Sequence, residues 1–581
     1  MKIFHDIDSL FDAKLRYYTV EIQKSIMREG EAVFHEGIAY IDALFNLEIF
    51  DYLHQPSLIG IERVLPNGDN VYILFETLTV KPRHYETASL TPEIPPVLKW
   101  EYLEKIEESW RSGGENWMEI VAVHTGYTLK VKDNSLKFTR SFLSPLIGSR
   151  AHIMSDEIIK SMVCIEDGSK VGVMKGFNID LTIDIYSIYR YHTGVFGFTG
   201  TGKSNLVSLI VRKIVEREPN IKVVIFDIAG EYTVHLLDLI RLHNGVVYIV
   251  ENIPRERFIE TQVIPETLLE YIDENIIRAE IAKVNIKRLY LETLEVKIAD
   301  LKAVLREAST KGIAAKSLVA RAMNILDNYP DEMLLSEFMN SGEYAEARNN
   351  LIRLLSDLKS KLHEKATARR DLDYIISSIH GFEISNEIST HSGISIDKLA
   401  EDIVKDRGAP AINIIYTPNP IDARISVSKL VNRIFAVKKN WGLGNKILMV
   451  FDEAQEFIPD RTRSEDYTLQ SNIAVETVLR QGRKYFIGGI IATQRLAHLN
   501  TNALQQLHSY FVSTLPRTYD RNVISDAFSI SRSIVDKTLE LDVGEWIFVS
   551  YKATKLKNVP VEIKAENNEE YLIRYFKEIA R

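Results

Sequence analysis

The sequence predicts an α/β chain whose core is a doubly wound, largely parallel sheet, preceded by a small barrel- or sandwich-like β domain and interrupted by a helical insert. Three observations predict it. Short, strand-sized apolar runs recur from Thr193 to Leu515, mostly fed by helical segments, which is the pattern of a buried parallel sheet. From about Ala32 to Val173 short apolar runs are instead separated by turn signals. Between Pro254 and about Asp406 helical periodicity stands alone. At 581 residues the chain exceeds the size of a single core, so two or three domains are expected. The expected divisions are 1–175 for the N-terminal β domain, 176–253 with 407–545 for the core, 254–406 for the insert, and 546–581 for a C-terminal β segment and helix.

In the N-terminal part, Ile59 to Leu65 and Asn70 to Lys81 flank Pro66-Asn67-Gly68-Asp69. Asn-Gly between apolar segments is a strong hairpin signal. A second hairpin is expected from Met118–Val123 and Tyr127–Val131 around Gly126, with a helix over Val97–Arg111 between the two pairs. Residues 172–189 alternate apolar and polar side chains and run into His192 and the first core strand.

Lys222–Asp227, Val246–Val250, Ala411–Tyr416, Lys446–Phe451, Ile487–Thr493 and Tyr510–Leu515 supply the further core strands. In the insert, Leu291, Leu294, Ile298, Leu301 and Leu305 recur at three and four residues, as do Leu351, Leu354, Leu355, Leu358 and Leu362. Such stripes are packing faces of helices rather than a cofactor box. Past Gly544 two β-like segments, Trp546–Tyr551 and Val559–Ile563, lead to an amphipathic tail over Glu569–Ile579, either a lid or a subunit contact.

Composition narrows the function classes. Apolar residues at 45% and charged residues at 26% are ordinary for a soluble globular protein. A net charge of −9 argues against a surface that is basic all over, while leaving room for a local basic channel. Cys164 is the single cysteine, so neither an intrachain disulfide nor a cysteine metal cage is available, in keeping with a reducing compartment. The first thirty residues hold no continuous apolar stretch of the kind a signal peptide needs, and the longest apolar runs are far below a membrane span. A cytoplasmic protein with no membrane segment is expected.

The chemistry is concentrated in Gly197-Phe198-Thr199-Gly200-Thr201-Gly202-Lys203-Ser204, with Asn205 opening a helical run, and all nine residues are expected to contact the nucleotide. Strand, glycine-rich loop, Lys-Ser and helix are the parts of a P-loop. Glycines let successive N–H groups converge on a polyphosphate, the helix N-terminus adds its positive end, Lys203 reaches the β- and γ-phosphates, and Ser204 holds Mg²⁺. The expected ligands are therefore ATP and Mg²⁺. A second anchor, residues 447–453, is a buried strand ending in Asp452 and Glu453. Asp452 would share the metal with Ser204, and Glu453 would activate the attacking water.

A third strand ends in Thr493-Gln494-Arg495 at the same carboxyl edge, where ligands of open α/β sheets collect. Gln494 is either a γ-phosphate sensor or a solvated strand end. Glu231, on the loop after Asp227, either orients water or Gln494, or caps the helix that follows. Arg480 and Arg483 lie shortly after the Asp-Glu pair and are either fingers that neutralise transition-state charge in a neighbouring subunit or a solvated helix face. Arg461, Arg463 and Arg495 are candidates to line a pore and touch phosphates.

Taken together, GFTGTGKS after His192, DIAGEY at Asp227–Tyr232, the helical insert, VFDEAQEFIP, RQGRKY at Arg480–Tyr485 and ATQR resemble the HerA/FtsK superfamily of RecA-like P-loop ring ATPases, and within it the HerA-type DNA translocases. The resemblance covers nearly the whole chain. It implies that the N-terminal domain is a HAS-like barrel. It also implies a homohexamer that pumps double-stranded DNA as a helicase or translocase and works with a NurA-like nuclease in DNA end resection and repair. Two departures are visible: Asp227-Ile-Ala replaces the usual acidic-Pro-His start of the loop, and Gln455 replaces the usual last residue of the Asp-Glu-Ala-His motif. Neither removes an expected metal or water ligand. Alternatives on the same core are a packaging or conjugation motor and a slow ATPase serving as an assembly scaffold.

Overall fold

The computed structural model describes residues 2–27, 30–85, 95–112, 116–132, 135–250, 253–291, 297–309, 313–333, 335, 338, 345–362, 369, 372, 375–376, 379, 393–463 and 466–579. Two sheets organise the chain. The first is N-terminal: β1 (Ala13–Met27), β2 (Gly30–Leu44), β3 (Leu58–Val64), β4 (Asn70–His84), β5 (Asn116–Lys132), β6 (Ser135–Arg140) and β7 (Arg150–Ile153), in the order β2-β1-β7-β3-β4-β5-β6. β2 also pairs with β5, from Ile38↔Val123 to Leu44↔Trp117, so all strands but β6 form a closed ring. Period-two alternation sends Ile41, Ile59, Ile61, Ile73, Phe75, Met118, Ile120 and Ala122 inward, where they are fully buried.

The expected hairpin at Pro66–Asp69 joins β3 to β4, with Gly68 at φ +82°. α1 (Pro96–Ser112) occupies the expected helical stretch. The second expected hairpin is absent: residues 116–132 are one continuous strand. Gly126, at φ +83°, makes a bulge instead, the pairing with β4 moving from Ile73↔Thr128 to Phe75↔His124 across it. His124 Nδ1 accepts the Gly126 N–H at 2.9 Å. A glycine that turns a chain and one that bulges a strand need the same positive φ; here both halves of β5 keep β4 as partner, so the chain does not reverse.

The second sheet has thirteen strands. They are β8 (Ser169–Met174), β9 (Ile179–Ile183), β10 (Thr193–Phe196), β11 (Lys222–Asp227), β12 (Val246–Ile249), β13 (Asn285–Tyr290), β14 (Gly393–Ser395), β15 (Ile412–Tyr416), β16 (Ile447–Phe451), β17 (Ile487–Thr493), β18 (Ser509–Val512), β19 (Glu545–Ser550) and β20 (Val561–Ala565). Their order is β14-β13-β12-β15-β11-β16-β17-β10-β18-β19-β20-β8-β9. Strands β14 through β18 run parallel, and the last four continue antiparallel.

Three expected divisions therefore cut through this sheet. β8 lies before the expected boundary at 175 yet pairs with β20. β19 and β20, expected as a separate C-terminal segment, extend the core sheet itself. β13 and β14, inside the expected insert, form its opposite edge. Alternation along a strand reveals its two faces but not its neighbours, and the partner of β8 lies almost four hundred residues away, at Ile563–Ala565.

Successive residues of the central strands feed opposite faces. Val223, Ile225, Leu448, Val450 and Ile490 pack with α2 (Lys203–Arg217). In the insert, α3 (Ile298–Ser309), α4 (Ile313–Leu326) and α5 (Ala345–Lys361) bury Leu301 and Leu305 against Leu351, Leu355 and Leu358, so the leucine stripes are packing faces. Leu294 lies outside the described residues. On the sheet's other face Val224, Phe226, Met449, Phe451 and Ile491 pack with α6 (Pro420–Trp441) and α7 (Thr468–Gln481). The tail forms α8 (Glu569–Ile579) over the expected residues, and its Leu572 and Phe576 are buried in the core on the α2 side. Among the described residues no helix is long and apolar enough to cross a membrane.

Candidate functional site

The carboxyl ends of four adjacent strands, β11, β16, β17 and β10, define one edge, and every strong sequence motif ends there. β10 is fully buried between β17 and β18, which fixes where the loop leaves the sheet. Gly197 N–H donates to Thr493 O at 3.4 Å and Phe198 N–H to Thr514 O at 3.0 Å. The loop then curls on itself: Thr201 Oγ1 and Lys203 Nζ both donate to Phe198 O, at 2.8 and 3.2 Å. Gly200 sits at φ +83° with open space where a Cβ would be, and Gly202, at φ +93°, caps α2. Positive φ at both positions is the backbone freedom a glycine-rich polyphosphate cradle requires.

Acidic groups face the loop across the cleft. Ser204 Oγ donates to Glu231 Oε2. Glu231 makes no side-chain cap on the helix after it, so the capping alternative is not what the structure holds. Its loop is set by Asp227, whose carboxylate accepts the Gly230 N–H at 2.7 Å and the Tyr232 N–H at 3.0 Å; burial pushes this carboxyl up to about 6 despite those bonds. Asp452, 4% exposed, is pushed well above the usual carboxylate range by burial, and further by the charges of Glu453, Glu231 and Asp227. Burial and mutual repulsion thus crowd acidic groups at this edge of the sheet.

Glu453 adopts φ +47°, uncommon for a non-glycine residue. Gln494 Nε2 donates to Glu453 Oε1 at 2.9 Å and Gln455 Nε2 to Glu453 Oε2 at 2.8 Å, while Thr493 Oγ1 donates to Gln455 Oε1 at 2.6 Å. Thr199 Oγ1, in the glycine loop, donates to Gln494 Oε1. Gln494 is thus neither a solvated strand end nor in contact with Glu231; it joins the loop to Glu453. Gln455, which the sequence marked only as a departure, turns out to orient that carboxylate.

Thr199, Lys203, Ser204, Glu231, Asp452, Glu453 and Gln494 line a cleft of about 550 Å³. Its other wall comes from the C-terminal part of the chain, where the sequence carries no motif: Val543, Gly544, Trp546, Lys564 and Asn567. Gly544 N–H donates to Thr201 O at 3.1 Å. Asn205, expected to touch a ligand, donates to Asn567 Oδ1 at 2.6 Å and Glu569 Oε1 at 3.2 Å. The tail helix therefore begins against the glycine loop's own helix and is part of the cleft.

None of the singled-out arginines lines this cleft. Arg483 stacks on the Tyr191 ring at 4.6 Å, beside the amino end of β10, whereas the loop leaves from its carboxyl end. Arg480 is half-exposed, 3.7 Å from Glu476 one turn back. Arg461, Arg463 and Arg495 are exposed around the chain after β16 and β17.

Packed behind the site, His192 is fully buried at φ +60°, and burial, with the nearby His508, pushes its imidazole down to about 4. Below the ordinary histidine value of about 6.5 the unfolded chain takes up a proton that the folded one refuses, so this residue costs stability as pH falls from about 6.5 to about 4. Asparagine tolerates the same backbone conformation without titrating. The stability of His192→Asn relative to the parent is expected to rise by up to about 3 kcal/mol between pH 7 and pH 4.5. Denaturant unfolding at both pH values, with no nucleotide, measures it; a pH-independent difference would contradict the buried neutral imidazole.

Residues 169–434 match the family model described as "Helicase HerA, central domain". The chain is 25% identical over 432 residues to the DNA double-strand break repair helicase HerA of Sulfolobus acidocaldarius, covering 71% of this chain and 72% of that protein. It is 24% identical over 461 residues to the HerA of Saccharolobus solfataricus, covering 77% and 78%. Among solved structures it is similar to VirB4 of Thermoanaerobacter pseudethanolicus, with a TM-score of 0.39 and 12% identity over 70% of this chain and 98% of that one, a likeness too low to bear on function.

Proposed function

From the resemblance of this chain to the HerA helicases, we propose that it is an ATP-driven translocase and helicase of double-stranded DNA that acts in the repair of DNA ends. The observation that carries this reading is the unbroken hydrogen-bonded path from the glycine loop through Thr199 and Gln494 to Glu453. It ties the place where a terminal phosphate would sit to the carboxylate placed to activate water.

ATP lies with its phosphates on the N–H groups of residues 200–204 and on Lys203. The Ser204 hydroxyl and the Asp452 carboxylate fit Mg²⁺. Among the described residues no group of three or more His, Cys, Asp or Glu side chains forms a metal cage, so phosphate and water would complete the set. The ion supplies charge neutralisation on the phosphates. Glu453, held on both oxygens by amide donors, accepts the proton of the attacking water. Gln494, bonded to the loop and the base together, senses the terminal phosphate.

Among the described residues no arginine lines the cleft. The transition-state cation is therefore supplied by a neighbour in a homohexameric ring, Arg483 first and Arg480 second. Arg461, Arg463 and Arg495 contact the DNA backbone, and a NurA-like nuclease is the partner in resection. The setting is cytoplasmic.

A motor that slides over any sequence grips only the repeating phosphates. Affinity for linear duplex is expected to fall steeply and log-linearly with salt concentration, with no preferred site in footprinting. Charge reversal at Arg461 and Arg463 together should flatten that slope. A sequence-specific footprint would contradict the proposal.

A further inference from the structure

The cleft's two walls meet the glycine loop at different atoms. The acids and Gln494 meet it at Ser204 and Thr199, whereas the C-terminal strands meet it at Thr201, through the Gly544 N–H, and at Asn205, through Asn567 and Glu569. On the second wall two glycines approach each other: a Cβ added at Gly202 would lie 3.8 Å from Gly544 N, and one added at Gly544 would lie 3.7 Å from Lys564 Nζ. Side chains at either position would fill the gap between loop and lysine. Both glycines have positive φ, +93° and +76°, which keeps the gap clear for a reason of backbone conformation too.

Lys564 is exposed to this gap and lines the cleft. Its Nζ donates to Val543 O at 2.5 Å, one of the three hydrogen bonds an ammonium can give. Glu545, its cross-strand partner, lends Lys564 a favourable charge but gives its ion-pair contact to Lys175 at 2.8 Å, and Glu566 pairs with Lys213 at 2.7 Å. An ammonium with spare donors, facing a phosphate cradle across two glycines, is an anion-binding group.

We infer that Lys564 is a second nucleotide-binding cation, one that holds the phosphates that stay with the nucleoside. This rests on the reading of the cleft as a nucleotide site. The transferred phosphate must lie toward Glu453, on the acidic wall, so the opposite wall receives the α- and β-phosphate side. The lysine therefore grips di- and triphosphate alike, in contrast to Gln494, and arrives in the cleft from the far end of the chain.

The test compares the full-length parent with Lys564→Gln and Lys564→Arg, titrating Mg-ADP and Mg²⁺ with a non-hydrolysable ATP analogue. Loss of one charge-assisted contact should weaken both ligands about tenfold in the Gln variant. Arginine should restore most of the loss, and nucleotide-free thermal stability should be unchanged. Parent-like affinity of the Gln variant for both ligands overturns the inference, as does a loss confined to the triphosphate analogue. If the parent itself binds neither ligand, it is the nucleotide reading of the cleft that fails, and the inference falls with it.

Discussion

ATP turnover is expected to fall by at least two to three orders of magnitude when Lys203 is replaced by alanine, the order of effect that follows removal of a preorganised transition-state charge (about 10²–10³-fold). Lys203 stands at the first position of α2, and its ammonium donates to Phe198 O in its own loop. Among the described residues no ion pair or strand pairing depends on it, so the substitution should leave the fold and its unfolding temperature as they were. Removal takes away the one lysine in the loop placed to neutralise the β- and γ-phosphates. Steady-state phosphate release, measured beside a thermal unfolding curve, separates loss of chemistry from loss of structure. Near-parental turnover in a folded variant would refute the assignment of the glycine loop.

Glu453→Gln should retain Mg-ATP binding and lose hydrolysis by about 10²–10⁴-fold, the usual contribution of a general base. The substitution keeps size and shape but cannot accept the water's proton. The local geometry sharpens the expectation: Gln494 and Gln455 each give an amide hydrogen to one Glu453 oxygen, and a glutamine there can receive only one of them as an acceptor. The other amide must turn away, and one of those two links the base to the loop. Rapid-quench chemistry with nucleotide binding measured in parallel checks both halves. If turnover persists, Glu231, already bonded to Ser204, becomes the residue to test as base.

What was legible in the sequence is what lies close together along it. The loop from Gly197 to Ser204, the Asp452-Glu453 strand end and the Asn67-Gly68 hairpin each carry their geometry within a dozen residues, because φ preferences, strand burial and helix starts are local properties. Glu231 and Gln494 could be placed at the right edge, but not their partners. The C-terminal wall was not legible: Gly544, Lys564 and Asn567 reach the loop across more than three hundred residues, with no motif of their own. The same distance hides the place of β8 in the core sheet, whereas β19 and β20 pair with strands close by and are hidden because alternation does not name a strand's partner; Gly126 is a bulge and not a turn because its partner strand is unbroken. The arginines illustrate a further limit. Residue type suggests what Arg480 and Arg483 do, but the fold places them away from the cleft of their own chain.

The central claim, that hydrolysis in this cleft drives movement on duplex DNA, is tested most directly by ATP turnover of the full chain with and without linear double-stranded DNA, in low and in physiological salt. The account predicts a several-fold rise on adding duplex that shrinks as salt increases and is abolished by Lys203→Ala. Turnover that is the same with and without duplex at both salt concentrations, in a preparation that hydrolyses ATP and requires Lys203 to do so, would contradict it.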